Sequence, residues 1–102
     1  MTEYRVVFRA EALRHLDELH DYIAGSGSPA NAVRFVDSLV DFCAILANFP
    51  YRGTARDDIR PGLRVIGHKR RTVIAFSIFD QTVAVLGVFY GGRDYPTRFT
   101  EE

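Results

Sequence analysis

Between Gly62 and Tyr90 the chain turns strand-like three times, and its connections are too short for more than one kind of sheet. Leu63–Gly67 is a short segment, Thr72–Phe79 a longer one, and Thr82–Tyr90 the most apolar. The residues between them, His68-Lys69-Arg70 and Asp80-Gln81, leave room only for tight turns. A parallel crossover needs a dozen or more residues, so these strands form an antiparallel meander.

The first half reads differently. Residues 3–9 alternate Tyr4, Val6 and Phe8 against Arg5, Val7 and Arg9, the period of a strand with one buried face. From residue 10 to 24 the period becomes helical. Ala12, Leu16, Leu19 and Ile23 share one face with Leu13 beside them, charged residues fill the other, and Gly25 is placed to end the helix. Ser28 suits the cap of a second helix and Pro29 its first turn, where a missing N–H costs nothing. That helix is expected from about Pro29 to Phe49, with Ala32, Phe35, Val36, Leu39, Phe42, Cys43, Leu46 and Phe49 as its apolar stripe. Pro50 stops it, and residues 51–61 show no periodicity. The order β-α-α-β-β-β predicts one α+β domain over residues 1–102, a helical hairpin packed on a four-stranded, largely antiparallel sheet.

A chain of 102 residues can bury a single core. One cysteine, Cys43, excludes an internal disulfide or a thiolate zinc cluster and belongs to the core. His15 and His20 project about 140° apart on the first helix, so they cannot share a metal, and both read as helix-flank residues. Phe8, Phe35, Phe42, Phe49, Phe76 and Phe79 read as core. Asp57-Asp58 has no further carboxylate near it to make a cation site. No cofactor or metal is expected. Met1 leads into charged residues rather than an apolar leader, and no run is long enough for a membrane span, so the cytoplasm is the expected location.

Charge is neutral in total and uneven in distribution. Seven of the thirteen Lys and Arg residues lie between Arg52 and Arg71 against two acids, so this window is +5. The residues before it carry −3 and those after it −2. Overall neutrality argues against sequence-specific nucleic-acid binding by the chain alone, while a local basic window points to an acidic partner.

The order and spacing of several segments resemble the RelE/ParE superfamily of toxins from type II toxin–antitoxin systems, and its ParE-like branch in particular. Those segments are the opening Tyr4-Arg5-Val6-Val7-Phe8, Tyr22-Ile23-Ala24, Ser28-Pro29-Ala30-Asn31-Ala32, Pro50-Tyr51-Arg52-Gly53, Arg56-Asp57-Asp58-Ile59, Pro61-Gly62-Leu63-Arg64 and Tyr90-Gly91-Gly92-Arg93-Asp94. Many ParE-like chains carry His where Tyr90 stands, and Tyr does not titrate near neutral pH. Relatives act in one of two ways: RelE-like toxins cut mRNA in the ribosome, and ParE-like toxins bind DNA gyrase.

Cleavage through a 2′-hydroxyl needs a proton acceptor, a proton donor and cations. Arg64, Lys69, Arg70, Arg71, Tyr90, Arg93 and Tyr95 supply cations and phenols, but Arg shuttles protons poorly. His68, expected in a turn among cations, has no acid to pair with. The resemblance therefore implies a non-catalytic, cytoplasmic gyrase inhibitor with no catalytic residues. It implies neutralisation by a ParD-like ribbon-helix-helix antitoxin in a hetero-oligomer of even number. An RelE-like mRNA endonuclease and a non-toxic antitoxin-binding relative are the alternatives. Arg56, Arg60, Arg64, Arg70 and Arg71 are the expected antitoxin contacts, by charge complementarity. Tyr90, Arg93, Tyr95, Arg98 and Phe99 are the expected target contacts, since Tyr and Arg anchor interfaces. Arg93-Asp94 has a second reading, a salt bridge that fastens the tail.

Overall fold

A computed structural model describes residues 3–69 and 71–91. The described elements are β1 (Arg5–Phe8), α1 (Ala10–Ser26), α2 (Pro29–Ala44) running on into a 3₁₀ turn (Ile45–Ala47), β2 (Thr54–Ala55), β3 (Leu63–His68), β4 (Thr72–Phe79) and β5 (Thr82–Tyr90). They form one α+β layer pair, with the helices on one face of a mixed sheet of order β1-β5-β4-β3-β2. The pairs β2–β3, β3–β4 and β4–β5 are antiparallel, and β1 runs parallel to β5.

Each local signal has a visible physical outcome. Ser28 Oγ accepts the Asn31 backbone N–H at 3.1 Å with Pro29 in the first turn, so α2 begins where the sequence places it. Asp80 and Gln81 take φ of 52° and 61°, the paired positive values of a two-residue hairpin turn whose twist matches its strands. The α1 helix departs from expectation. It runs through Gly25 to Ser26, because a lone glycine is tolerated where no packing demand opposes it, and Gly27 takes the cap position. Its buried stripe is Ala12, His15, Leu16 and Leu19, whereas Leu13 is exposed. The α-helical part of α2 stops at Ala44, and Phe49 lies beyond the 3₁₀ turn, 59% exposed.

Among the described residues the sheet has five strands where four were expected. Thr54–Ala55 pairs with Arg64–Val65, a ladder too short to show any periodicity in sequence. Gly53 makes this possible: at φ +79°, a Cβ there would stand 2.2 Å from the Val65 carbonyl oxygen.

Two cores flank the sheet. On the helix side, Ala12, Leu16, Leu39, Cys43, Ile74 and Val85 pack with Val88, and Leu46, Phe76 and Val83 continue that layer toward the far end of the sheet. On the opposite side, Leu63, Ala75 and Phe89 are buried under Ile59 and Leu86. A register shift divides β5 between them. Ala75 pairs with Gly87 but Phe76 with Val85, so Leu86 is the extra residue of a bulge. The inward set of β5 therefore reads Val83, Val85, Val88 and Tyr90 rather than a strict alternation. Phe76 is core as expected. Phe79, expected there too, is 79% exposed beside the β4–β5 turn.

Candidate functional site

The parallel pairing of β1 with β5 ends at Phe8 and Val85, so among the described residues the last part of β5 has no strand on that side. Helix α1 follows β1 directly and lies along this open stretch. His15, 3% exposed, accepts the Val88 backbone N–H on Nδ1 at 3.0 Å, packs at a tilt against the Phe89 ring with 5.1 Å between centroids, and has Glu11 3.3 Å from Nε2. His15 is thus an edge cap and core residue, not a helix-flank residue. His20 sits on the flank as expected, with Asp21 beside it at 3.3 Å.

A trench of about 300 Å³ opens between α1 and the ends of β4 and β5. His15, Leu19 and Val88 form its floor, Glu18 and Tyr22 its helical rim, and Arg71 and Tyr90 its strand rim. Tyr22 and Tyr90 approach to 5.9 Å, and Glu18 is paired with Arg14 at 2.8 Å. At its strand rim the trench meets a smaller recess of about 240 Å³ lined by Phe35, Lys69, Arg71, Thr72 and Tyr90. Phe35 of α2 holds Tyr90 edge-on at 5.8 Å and His68 at 5.9 Å, and Lys69 Nζ stands 5.7 Å from its ring centre.

The basic window does not form one patch. Arg56 grips Asp58 in a fork, Nε to Oδ1 at 3.1 Å and Nη2 to Oδ2 at 3.0 Å, which holds the Asp58 carboxyl below its ordinary range. Arg64 donates to the carbonyls of Tyr51 and Arg52 at 2.7 and 3.3 Å and covers the Tyr51 ring, which fastens the linker to β3. Arg60 faces the other side of the sheet, and among the described residues of the window only Arg71 reaches the trench. Tyr90, read as a target contact, lies beside Arg71, read as an antitoxin contact. Arg70, Arg93, Asp94, Tyr95, Arg98 and Phe99 lie outside the described residues.

His68 is not in a turn. It ends β3, buried against Phe42 at 4.9 Å and Phe35, and burial followed by the charge of Lys69 pushes its pKa below the ordinary value. Cys43 is core as expected, and burial pushes its thiol up to about 12. Asp57 accepts the Gly62 N–H at 2.8 Å, a turn-holding role. Among the described residues no three His, Cys, Asp or Glu side chains gather as a cation site.

Sequence reasoning missed a second cavity, a trough of about 520 Å³ on the sheet face away from the helices. Arg5, Arg9 and Arg60 stand round an apolar floor of Val7, Leu63 and Leu86, with Phe79 and Asp80 at the turn end. Its signal was present in the alternation of β1, where Arg5, Val7 and Arg9 oppose the buried set. It also missed Thr72, whose role depends on its neighbours across two strands.

The chain matches the family model described as the ParE toxin of the type II toxin–antitoxin system parDE over residues 6–95. Among solved structures it is similar to the chromosomal ParDE toxin–antitoxin system from P. aeruginosa. That likeness has a TM-score of 0.77 at 19% identity and covers 86% of this chain and 96% of the other. It is also similar to the toxin–antitoxin complex RelBE2 from Mycobacterium tuberculosis, with a TM-score of 0.62 at 22% identity, covering 88% and 100%. At these identities the likeness is one of fold. No curated protein matches by sequence.

Proposed function

The chain belongs to the ParE toxin family of type II toxin–antitoxin systems, and we propose that it arrests growth by binding DNA gyrase without catalysing a reaction, under the control of a ParD-like antitoxin. One observation carries the non-catalytic half. Two of the side chains from which an RNA-cleaving site would be assembled, His68 and Arg64, are already committed elsewhere. His68 is enclosed by Phe35 and Phe42, and its pKa is lowered, which favours the neutral ring in the folded protein. Arg64, which could have held a phosphate, is bound to two backbone carbonyls. An inhibitor needs only a shaped surface, and the Tyr22–Tyr90–Arg71 rim offers the aromatic and Arg groups that interfaces favour.

The antitoxin's acidic segment is proposed to dock in the trench and the recess beside it, where Arg71 and Lys69 supply complementary charge and the α1 face supplies apolar contact. The complex is a hetero-oligomer of even number working in the cytoplasm. Among the described residues no helix is long and apolar enough to cross a membrane. A second reading, an mRNA endonuclease of the RelE kind, is favoured by the far trough. Three guanidiniums and the exposed Phe79 ring suit a single strand with its phosphates paired and a base stacked.

Induction of the chain alone in a bacterial host separates these readings. Growth arrest with an SOS response and loss of gyrase supercoiling in a purified assay is the expected result. Arrest with translation shut-off favours the endonuclease, and undisturbed growth favours a non-toxic antitoxin-binding relative. Full supercoiling at excess toxin would overturn the gyrase reading.

A further inference from the structure

Thr72 occupies the central position of a small cage at the start of β4. Its pairing partners are His68 on β3 and Tyr90 on β5, and Phe35 of α2 packs on both of those rings. The residue is 2% exposed, and its hydroxyl is buried with no hydrogen-bond partner among the described residues. Burying an unmet hydroxyl is unfavourable, and a valine would fill the same place on a strand without that cost. Thr72 lines the recess of about 240 Å³, and the two cations of that recess, Lys69 and Arg71, make no ion pair among the described residues. Apolar rings, two cations and a spare hydroxyl around one recess make a receptor for a small anion on an apolar stem.

We propose that this recess binds a carboxylate of an acidic peptide segment lying in the trench, with Thr72 Oγ1–H, Lys69 and Arg71 donating to its oxygens. The recess is too small for most whole ligands but suits one acidic side chain or chain end. Hydrogen bonds to a charged acceptor are stronger than neutral ones, so the hydroxyl that is idle in the free protein becomes useful in the complex. The identity of the segment as the antitoxin's rests on the function proposed above. The anion site itself rests on Thr72, Lys69 and Arg71.

The test titrates the full chain with three short Leu/Ala peptides and follows backbone amide resonances. One peptide has a central Glu and an amidated end, one has no acid and an amidated end, and one has no Glu but a free C-terminal carboxylate. The Glu peptide is expected to saturate, with shifts centred on residues 69, 71, 72 and 90, and to bind at least about tenfold tighter than the acid-free amidated peptide. The better of the two carboxylate peptides tells whether a side chain or a chain end is preferred, and either result supports the site. Thr72→Val and Arg71→Gln should each weaken binding about tenfold, while Thr72→Val melts no lower than the parent. Equal affinity for the acid-free peptide, no saturable binding, or unchanged binding by Thr72→Val would overturn the proposal. If the antitoxin binds both variants as tightly as the parent, the site falls and the antitoxin reading stands. If the Glu peptide binds but no antitoxin does, the site stands and that reading falls.

Discussion

The Val88 backbone N–H donates to His15 Nδ1 at 3.0 Å, just past the last residue pair of β1 with β5. A strand edge in a protein interior must find an acceptor for each such donor. Here a helical side chain takes over where the neighbouring strand stops, and the bond places the imidazole proton on Nε2, which faces Glu11.

Removing that acceptor should be costly. His15→Leu keeps bulk but leaves the Val88 N–H unmet, and a loss of about 1–3 kcal/mol in chemical denaturation is expected, with faster exchange of the Val88 amide. Gly87→Ala should destabilise comparably, because its Cβ would stand 2.8 Å from the Phe89 ring and 3.2 Å from His15 Cε1. A His15→Leu protein as stable as the parent, with Val88 still protected, would show that the bond contributes nothing.

His68 should make stability pH-dependent on the acid side. Burial and Lys69 lower its folded-state pKa below the ordinary 6.5. The unfolded chain then takes up a proton as pH falls through about 6.5 while the folded chain does not, so stability is full above that pH and declines below it. Denaturation midpoints measured between pH 7.5 and 5.5 should fall less steeply in His68→Gln than in the parent. Parallel pH profiles for the two proteins would contradict this.

Cys43 should be silent toward thiol reagents while the protein is folded. It is fully buried, and its thiol is pushed up to about 12, so little thiolate exists near neutral pH and none of it is presented to solvent. Labelling with a chromogenic disulfide should appear only with denaturant and track unfolding. Rapid labelling in buffer would show that helix α2 opens locally.

Arg64 and Arg71 belong to one charged window but should respond oppositely to substitution. Arg64→Ala removes the donors that hold the Tyr51 and Arg52 carbonyls, so it should lower stability by about 1–2 kcal/mol. Arg71→Ala should leave stability within about 0.5 kcal/mol but weaken binding of the antitoxin. Thermal melts and binding isotherms on both variants decide the matter; equal effects on affinity would return both residues to a single docking patch.

Much of this architecture is written locally. The β4 and β5 boundaries, the Ser28 cap and the Asp80-Gln81 turn each depend on a few adjacent residues, and each lies where the chain's own pattern puts it. The strand β2 was hidden because two residues carry no period, and the bulge at Leu86 broke the alternation that would have sorted the inward residues of β5. Phe49 and Phe79 were misassigned to the core because hydrophobicity alone does not say which side of an element ends in solvent.

By itself the sequence determined the class of the fold and the family to which it belongs, because periodicity, caps and turns are set by neighbours along the chain. The tertiary structure alone decided what the charged and polar residues do. It scattered the basic window into the Arg56–Asp58 fork, the Arg64 clamp, the far-face Arg60 and the trench-side Arg71. It also brought His15 to Val88 from 73 residues away and set Thr72 between His68 and Tyr90. Such roles depend on which strands are adjacent and on where one strand ends beside another, and contacts of that kind leave no period in the chain.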